Sequence, residues 1–357
     1  MANQVDKFNT IAITDIEKIN ALDDDAIDKL NGLTFAGVVQ NPWQGARAIL
    51  AGGYGDNPDT SATVLSDTIE YWTIASANDS QDFGDLTYKH QTNHGGASNR
   101  TTGLFMGGYD TSGYSGNIDR VANIASTANA NDFGDLSNSE ETYGNNVVSN
   151  GTLGMRMGGK VSGGYTDTCD IVTISAGGSS NTASDHGDLY YDTYSGGCLS
   201  GSTRAMSLGG YSGDNGGNAI DMIQYKLFAS TATGTDYGNL RQSNLRTTQG
   251  VEDASRGVVA GGYEDSGAGA LASIQHFSIE GETTGFTATD SSMNLSEASF
   301  FGGGISDGTY GAIVAASADN DSTDKITIQS LGGTASDTAN LKIEGNAYAR
   351  DGCSGSS

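Results

Sequence analysis

Four histidines and three cysteines are the side chains of this sequence best suited to metal binding or nucleophilic chemistry. They are His90, His94, His186 and His276, with Cys169, Cys198 and Cys353. The cysteines are odd in number and form no local pairing motif, which argues against a disulfide scaffold and a zinc site. No His-Glu-x-x-His pair or complete phosphate-binding loop occurs either. We therefore predict no catalytic residue.

Two acidic stretches concentrate the oxygen ligands that a hard cation such as Ca²⁺ prefers. The denser stretch supplies Asp319, Asp321 and Asp324 as candidate calcium ligands, and Asp214 to Asn218 is the other. Neither has the spacing of an EF-hand, so a polar hairpin loop is the alternative interpretation. Calcium is the one cofactor that the sequence leaves open.

The charge of the chain limits its partners. The 357 residues carry a formal net charge of −26, which repels nucleic acids and anionic membranes. This acidity favours solubility, and its alternative meanings are cation binding or contact with a basic partner. We expect no membrane insertion, because no apolar run approaches 18 residues. The first residues lack the pattern of a signal peptide, which predicts synthesis in a cytoplasm without export.

An apolar strand that ends in a glycine pair recurs along the chain. The pairs are Gly52-Gly53, Gly107-Gly108, Gly158-Gly159, Gly209-Gly210 and Gly261-Gly262. Their second glycines are 55, 51, 51 and 52 residues apart. A sixth copy at Gly311 to Ala316 has alanines in place of the pair, whereas Gly302 to Gly304 comes too early to belong to the series. A period of this length is typical of a propeller blade.

Three further segments complete each repeat. An alternating strand follows the glycine pair, often with an Ile-acidic start such as Ile69-Glu70, and then an Asp-x-Gly-Asp-Leu element such as Asp132 to Leu136. A small strand rich in Gly, Ser and Ala precedes the next pair. Four strands repeated six times predict an all-β, six-bladed β-propeller over residues 41–357. The small strand at the C-terminus, Arg350 to Ser357, is expected to complete blade one.

Residues 1–40 have a different pattern and form a predicted docking arm. Asp15 to Asn20 and Ala26 to Asn31 are near-copies. Their apolar residues at i, i+3 spacing predict one or two helical turns in each copy of a short helical or extended arm. The predicted partner-docking residues are Ile16, Ile19, Ile27 and Leu30. Because such short helices are unstable alone, the arm must pack on a partner or, alternatively, on its own propeller.

The loops after the glycine pairs differ from one another while the strands repeat. Tyrosines in or beside them are candidate recognition residues, because tyrosine supplies contact area at low entropic cost. They are Tyr54, Tyr109, Tyr114, Tyr211 and Tyr263. The alternative is that these loops are solvated connectors.

The succession of glycine pair, tyrosine and aromatic-bearing strand resembles the kelch repeat, although the late tryptophan of that repeat is missing. The arm, Thr73 to Ser76, Asn123 to Ser126 and the Asp-Phe-Gly-Asp-Leu elements also resemble virion structural proteins of marine tailed bacteriophages. This resemblance implies a multi-copy tail, fibre or capsid-surface component in the virion. It also implies contact with other virion proteins through the arm.

The sequence thus predicts a non-enzymatic virion protein whose propeller contacts a host surface, such as a host glycan, or a neighbouring subunit. One alternative is a free, lectin-like propeller that binds carbohydrate or protein. The other is a metal-dependent oxidase, because kelch-like propellers include copper radical oxidases. For that chemistry, His90 and His94 flank a predicted inner strand and are the best-placed histidines.

Overall fold

The computed structural model describes short strands within residues 1–40, followed by residues 41–56, 63–91, 95–137, 144, 146–314, 322–341 and 351–356. Regular structure in these ranges is all β, with no α-helix, which confirms the all-β part of the predicted fold class. Over the same ranges, no helix is long and apolar enough to cross a membrane.

The chain divides into two compact units, Met1–Gln40 and Asn41–Ser357. The first unit contains very short strands: Gln4–Val5, Lys7–Phe8, Ile11–Ala12, Lys18–Ile19, Leu22–Asp23, Lys29–Leu30 and Leu33–Phe35. The last six pair antiparallel as three successive hairpins. Gln4–Val5 pairs in parallel with the last strand, at Thr34 and Phe35.

The hairpins correct the helical prediction for residues 1–40. Ile19 and Leu30 lie in strands, while Ile16 and Ile27 fall outside the described residues. Each hairpin begins with Lys and an apolar residue. In the sequence an Asn follows these two residues each time, and Asn is a residue type that favours turns over helix interiors. The hairpin from Lys7 is a third copy of the same 11-residue repeat, which the sequence analysis had not recognised.

The second unit contains six sheets with one shared order of four antiparallel strands. From inner to outer strand, sheet 1 is Asp351–Gly355, Arg47–Ala51, Thr68–Thr73 and Gln81–Asp85; sheet 2 is Ala97–Ser98, Gly103–Asp110, Gly113–Val121 and Asn131–Asp135; sheet 3 is Asn146–Ser149, Leu153–Val161, Gly164–Thr173 and Ser184–Asp188. Sheet 4 is Gly197–Ser200, Arg204–Ser212, Asn218–Leu227 and Thr235–Asn239; sheet 5 is Gln249–Glu252, Arg256–Ala260, Ser273–Ser278 and Thr289–Asn294; sheet 6 is Gly304–Ser306, Tyr310–Val314, Ser322–Thr327 and Ser336–Asn340.

Short strands extend this framework. Asn181–Thr182 and Phe286–Thr287 add in parallel to the outer strands of sheets 2 and 4. Tyr54–Asp56 pairs with Thr63–Leu65. A small three-stranded sheet contains Leu245–Arg246, Tyr263–Glu264 and Gly269–Ala270.

The six sheets contact one another in a closed cycle. Each inner strand touches the inner strand of the next sheet, and that of sheet 6 touches Asp351–Gly355 of sheet 1. At the outer strands a backbone N–H of one sheet also donates to the last residue of the preceding outer strand. The six bonds run from Ala130 to Asp85, Ala183 to Asp135, Gly234 to Asp188, Ala288 to Asn239, Ala335 to Asn294 and Ser80 to Asn340, at 2.7–3.0 Å.

These outer bonds explain the Asp-x-Gly-Asp-Leu element. Its second acidic residue supplies the accepting carbonyl, and its glycine lies where the chain of the next sheet passes closely. Gly134 has φ of 143°, and a Cβ there would overlap the carbonyl oxygen of Asn181. The aromatic residue of the element is buried, as Phe133 and Tyr237 illustrate. The element is therefore a junction between sheets.

The acidic or amide residue that follows the repeated Ile of the third strand forms a second set of junctions between sheets. A buried carboxylate or amide on the third strand accepts a hydrogen bond from the second residue after the preceding outer strand. Asp119 accepts from Thr87 N at 2.9 Å, and Gln275 accepts from Arg241 N at 2.7 Å. Buried polar groups require such partners, so these side chains fix the connection between neighbouring sheets.

The hydrophobic core lies between the sheets. One cluster brings Ile49, Ile69 and Phe83 of sheet 1 against Phe105 and Val121 of sheet 2. Comparable clusters fill the other spaces between neighbouring sheets. This packing places the connecting loops at the sheet ends, where their side chains are available for other contacts.

Candidate functional site: a tyrosine–arginine row

Two sets of loops meet at one end of the sheets. Because inner and second strands are antiparallel, the chain leaves the second strand beside the point where it enters the inner strand. Tyr194 precedes the inner strand of sheet 4, and Tyr211 ends its second strand. Their backbones exchange hydrogen bonds of 2.9 and 2.8 Å. The side chains of both loop sets can therefore form one surface.

Three stacked tyrosines form the first half of this surface. The Tyr165 and Tyr194 rings are 5.6 Å apart between centroids with an interplanar angle of 6°, and Tyr194 and Tyr211 are 6.1 Å apart at 15°. Lys160 places its Nζ 5.7 Å from the centroid of the Tyr194 ring. All four side chains are half-buried. The stack joins loops of sheets 3 and 4.

Arg246 continues the surface toward sheet 5. Its Cζ lies 5.1 Å from the Tyr211 ring centroid and 4.4 Å from that of Tyr263. The Tyr263 ring meets Phe300 edge-on at 5.4 Å. Stacking on aromatic faces is a property of the planar guanidinium. We call Tyr165, Tyr194, Tyr211, Arg246 and Tyr263 the tyrosine–arginine row.

Carboxylates surround the row. Asp265 accepts a hydrogen bond of 2.9 Å from Nε of Arg246. Burial raises the pKa of Tyr211, and the charge of Asp265 adds to this effect while Arg246 opposes it. Burial also raises the pKa of Asp167 near the other end, with a further contribution from neighbouring carboxylates including Asp192. The row therefore combines aromatic rings with fixed acceptors.

Side-chain hydrogen bonds hold the central loops in place. Asp192 Oδ1 accepts from Ser212 Oγ at 2.6 Å and from Asp214 N at 3.1 Å. Gln224, buried in sheet 4, accepts from Tyr190 N and Tyr191 N, both at 3.0 Å. A surface fixed in this way loses little conformational entropy when it binds a partner.

The row contains two of the five predicted recognition tyrosines, Tyr211 and Tyr263. Tyr109 and Tyr114 form a separate edge-to-face pair at 5.5 Å, and Tyr54 lies half-buried in a short strand.

The sequence analysis missed Tyr165, Tyr194 and Arg246. Tyr165 was passed over in the connection after Gly158-Gly159, whereas Tyr194 and Arg246 lie in the connections that enter inner strands. Those connections had not been considered as contact loops.

The predicted calcium ligands give a different result. Asp324 is buried in a strand of sheet 6, where its Oδ2 accepts from Ser296 N at 2.7 Å. It therefore forms a junction between sheets 5 and 6, whereas the sequence had placed it in a ligand loop. Asp319 and Asp321 fall outside the described residues. Within the described ranges, no group of three or more His, Cys, Asp and Glu side chains could hold a metal ion.

The histidines occupy unrelated structural settings. His90 is fully buried, which lowers its pKa to about 4. His186 is buried between neighbouring sheets, 3.0 Å from the carbonyl of Leu227, and His276 is half-buried on sheet 5. His94 lies outside the described residues. The three cysteines are buried thiols.

The inner strands enclose a small cavity of about 50 Å³. Trp43 and Gln44 line it, and Nε2 of Gln44 donates to Oε1 of Glu252 at 2.8 Å. Burial raises the pKa of Glu252 to about 8. Ser306 ends the inner strand of sheet 6, as Glu252 ends that of sheet 5. It lies within a Gly-x-Ser-x-Gly sequence, but its hydroxyl donates to the backbone carbonyl of Glu252. This arrangement connects inner strands and does not present an exposed nucleophile.

Comparison with protein-family models and with curated proteins finds no match for this chain.

Proposed function

We propose that residues 41–357 form a six-bladed, kelch-like β-propeller. Six sheets of the same strand order, joined cyclically at their inner and outer strands, support this assignment. Pairing of Asp351–Gly355 with Arg47–Ala51 makes one blade from the two ends of this unit. A blade of this kind resists separation of the ends, because opening the cycle would expose two strand edges.

We further propose that the protein is a non-enzymatic structural component of a bacteriophage virion, in the tail, a fibre or the capsid surface. The propeller would display the tyrosine–arginine row to a host surface or a neighbouring subunit. The row is the observation that carries this proposal, because a pre-organised surface of tyrosine and arginine is typical of binding sites. The resemblance of the repeat and arm sequences to virion proteins of tailed bacteriophages supports the virion setting.

The arm would attach the propeller to other virion proteins. Three hairpins of two- and three-residue strands bury too little surface to be stable alone, and residues 1–40 contain no cysteine that could brace them. A unit of this size gains stability from a partner. Multiple copies of the chain in one assembly would follow from such attachment.

Fractionation of purified particles tests the virion assignment. Full-length protein should copurify with particles, and a double variant Ile19→Pro, Leu30→Pro should not, because proline disrupts two of the three hairpins. The matched control is Tyr109→Ala combined with Tyr114→Ala, which removes a tyrosine pair outside both the arm and the row and should leave incorporation unchanged. A protein missing from washed particles would refute the virion role.

A free, lectin-like protein is the second candidate, and the tyrosine–arginine row favours it equally. It would be soluble after host lysis, absent from particles and still competent to bind through the row. The oxidase alternative has its own test: stoichiometric copper in the purified protein would overturn the non-enzymatic proposal.

A further inference from the structure

The exposed surface of the second unit contains little of what a protein partner uses as an interface core. Among the described residues, the large hydrophobic side chains that are exposed are Tyr109, Tyr190 and Leu227. Stable protein interfaces have an apolar, fully buried centre. The row presents half-buried rings that carry hydroxyls and a paired guanidinium. This combination suits a ligand with a small apolar face and a polar perimeter.

The charges of the row disfavour ionic ligands. The guanidinium of Arg246 is paired with Asp265 at 2.9 Å. Three of the four tyrosine rings already lie near a cation, since Lys160 lies over Tyr194, and Arg246 lies near Tyr211 and Tyr263. A polyanion would meet a protein with a net charge of −26. An uncharged ligand avoids both penalties.

The chemistry of an uncharged sugar matches the remaining features. The C–H face of a pyranose carries partial positive charge and packs against the negative face of an aromatic ring. Its neighbouring hydroxyls can donate to carboxylates such as Asp265 and Asp214 and can accept from Arg246. These polar groups lie near the stacked rings of Tyr165, Tyr194 and Tyr211, whose neighbouring centroids are 5.6 and 6.1 Å apart. One or two sugar units could therefore contact several members of the row.

We propose that the tyrosine–arginine row is a binding site for an uncharged saccharide. This inference rests on the proposed function of the propeller as a contact surface and specifies the ligand class. The row crosses loops of three successive blades, so the site accepts a chain of sugars along its length.

The experiment measures binding of the full-length protein to immobilised neutral oligosaccharides, with sulfated and sialylated oligosaccharides of the same length as comparison probes. We expect retention on neutral probes only. Tyr165→Ala and Tyr263→Ala should each weaken binding roughly tenfold, the effect of losing about one aromatic contact. Tyr109→Ala combined with Tyr114→Ala removes a tyrosine pair outside the row and should leave Kd unchanged. Thermal melting of every variant checks folding, and Tyr165→Ala serves if Tyr263→Ala melts early because of its contact with Arg246.

Several results would overturn the inference: preference for sulfated or sialylated probes, equal loss in the control pair, or no retention on any neutral probe. Binding of a purified virion protein by the full-length protein, without binding of any sugar, would likewise overturn it. The outcome is separate from that of particle fractionation. Protein found in particles that binds no sugar would refute this inference alone, whereas sugar binding by a protein absent from particles would refute only the virion role.

Discussion

Arg156 provides the most demanding test of how the third sheet is stabilised. Its side chain and that of Asp170 are both completely buried and form an ion pair. The guanidinium also donates to the carbonyls of Gly158 and Thr168, each at 3.0 Å. Asp170 accepts a second hydrogen bond from Ser137. Arg156→Met would keep most of the volume while leaving the carboxylate buried without its counter-charge.

The expected loss of stability follows from leaving the Asp170 carboxylate buried without a counter-charge. Removing one partner of a buried ion pair destabilises a protein by about 3–5 kcal/mol, because the remaining charge is uncompensated. Adding Asp170→Asn removes the charge while an amide oxygen can still accept from Ser137. We therefore expect the double variant Arg156→Met, Asp170→Asn to recover more than half of the loss.

Equilibrium urea unfolding followed by circular dichroism measures the free energy of unfolding for the wild type, both single variants and the double variant. The matched control is Arg120→Met, which removes a half-buried arginine from the third strand of sheet 2. A loss below about 1 kcal/mol in Arg156→Met would refute the reasoning, as would a double variant no more stable than Arg156→Met.

Two further predictions concern the junctions between sheets. Burial raises the pKa of Asp119 from 3.8 to about 6, so the folded protein binds this proton more tightly than the unfolded chain does. The stability that results is fully present below pH 3.8 and is lost as the pH rises through 6. Asp119→Asn should therefore remove a decline on the order of 1–3 kcal/mol between pH 4 and 6, as denaturant unfolding at several pH values would reveal; parallel curves for both proteins would contradict it. Gly134→Ala should lower Tm by several degrees through its clash with Asn181. The control is Gly113→Ala, at a glycine that also has positive φ but where a Cβ would meet no atom within 4 Å, and it should lower Tm less. Equal shifts in Tm would show that backbone strain alone is responsible.

The strands of the second unit were predictable because the repeats share one alternation and five of the six share a glycine pair. Regular spacing also identified the sixth copy at Gly311 to Ala316, where no glycine pair remains. The junction role of Asp119 was not predictable, because a buried carboxylate and an exposed one look alike in a strand pattern. Only the position of the neighbouring sheet shows that it accepts from Thr87 N.

The candidate site was predictable only in part for a related reason. Tyr211 and Tyr263 follow glycine pairs and share that sequence context. Tyr194 and Arg246 belong to connections of no common pattern, and the fold brings them beside the other two. The helical prediction for the arm was wrong for a different reason. Spacing at i, i+3 cannot distinguish a helical turn from a short hairpin when each repeat has so few apolar residues.

Pairing between Arg47–Ala51 and Asp351–Gly355 has a consequence for biosynthesis. The first of these strands leaves the ribosome before sheets 2 to 6, and its partner leaves after them. Sheets 2 to 6 can each form from contiguous chain, whereas sheet 1 must wait with one edge unpaired. That interval exposes a strand edge to other nascent chains, and it makes closure a late step of high contact order. A chaperone that binds unpaired strand edges would therefore find one on sheet 1 until Asp351–Gly355 has been made.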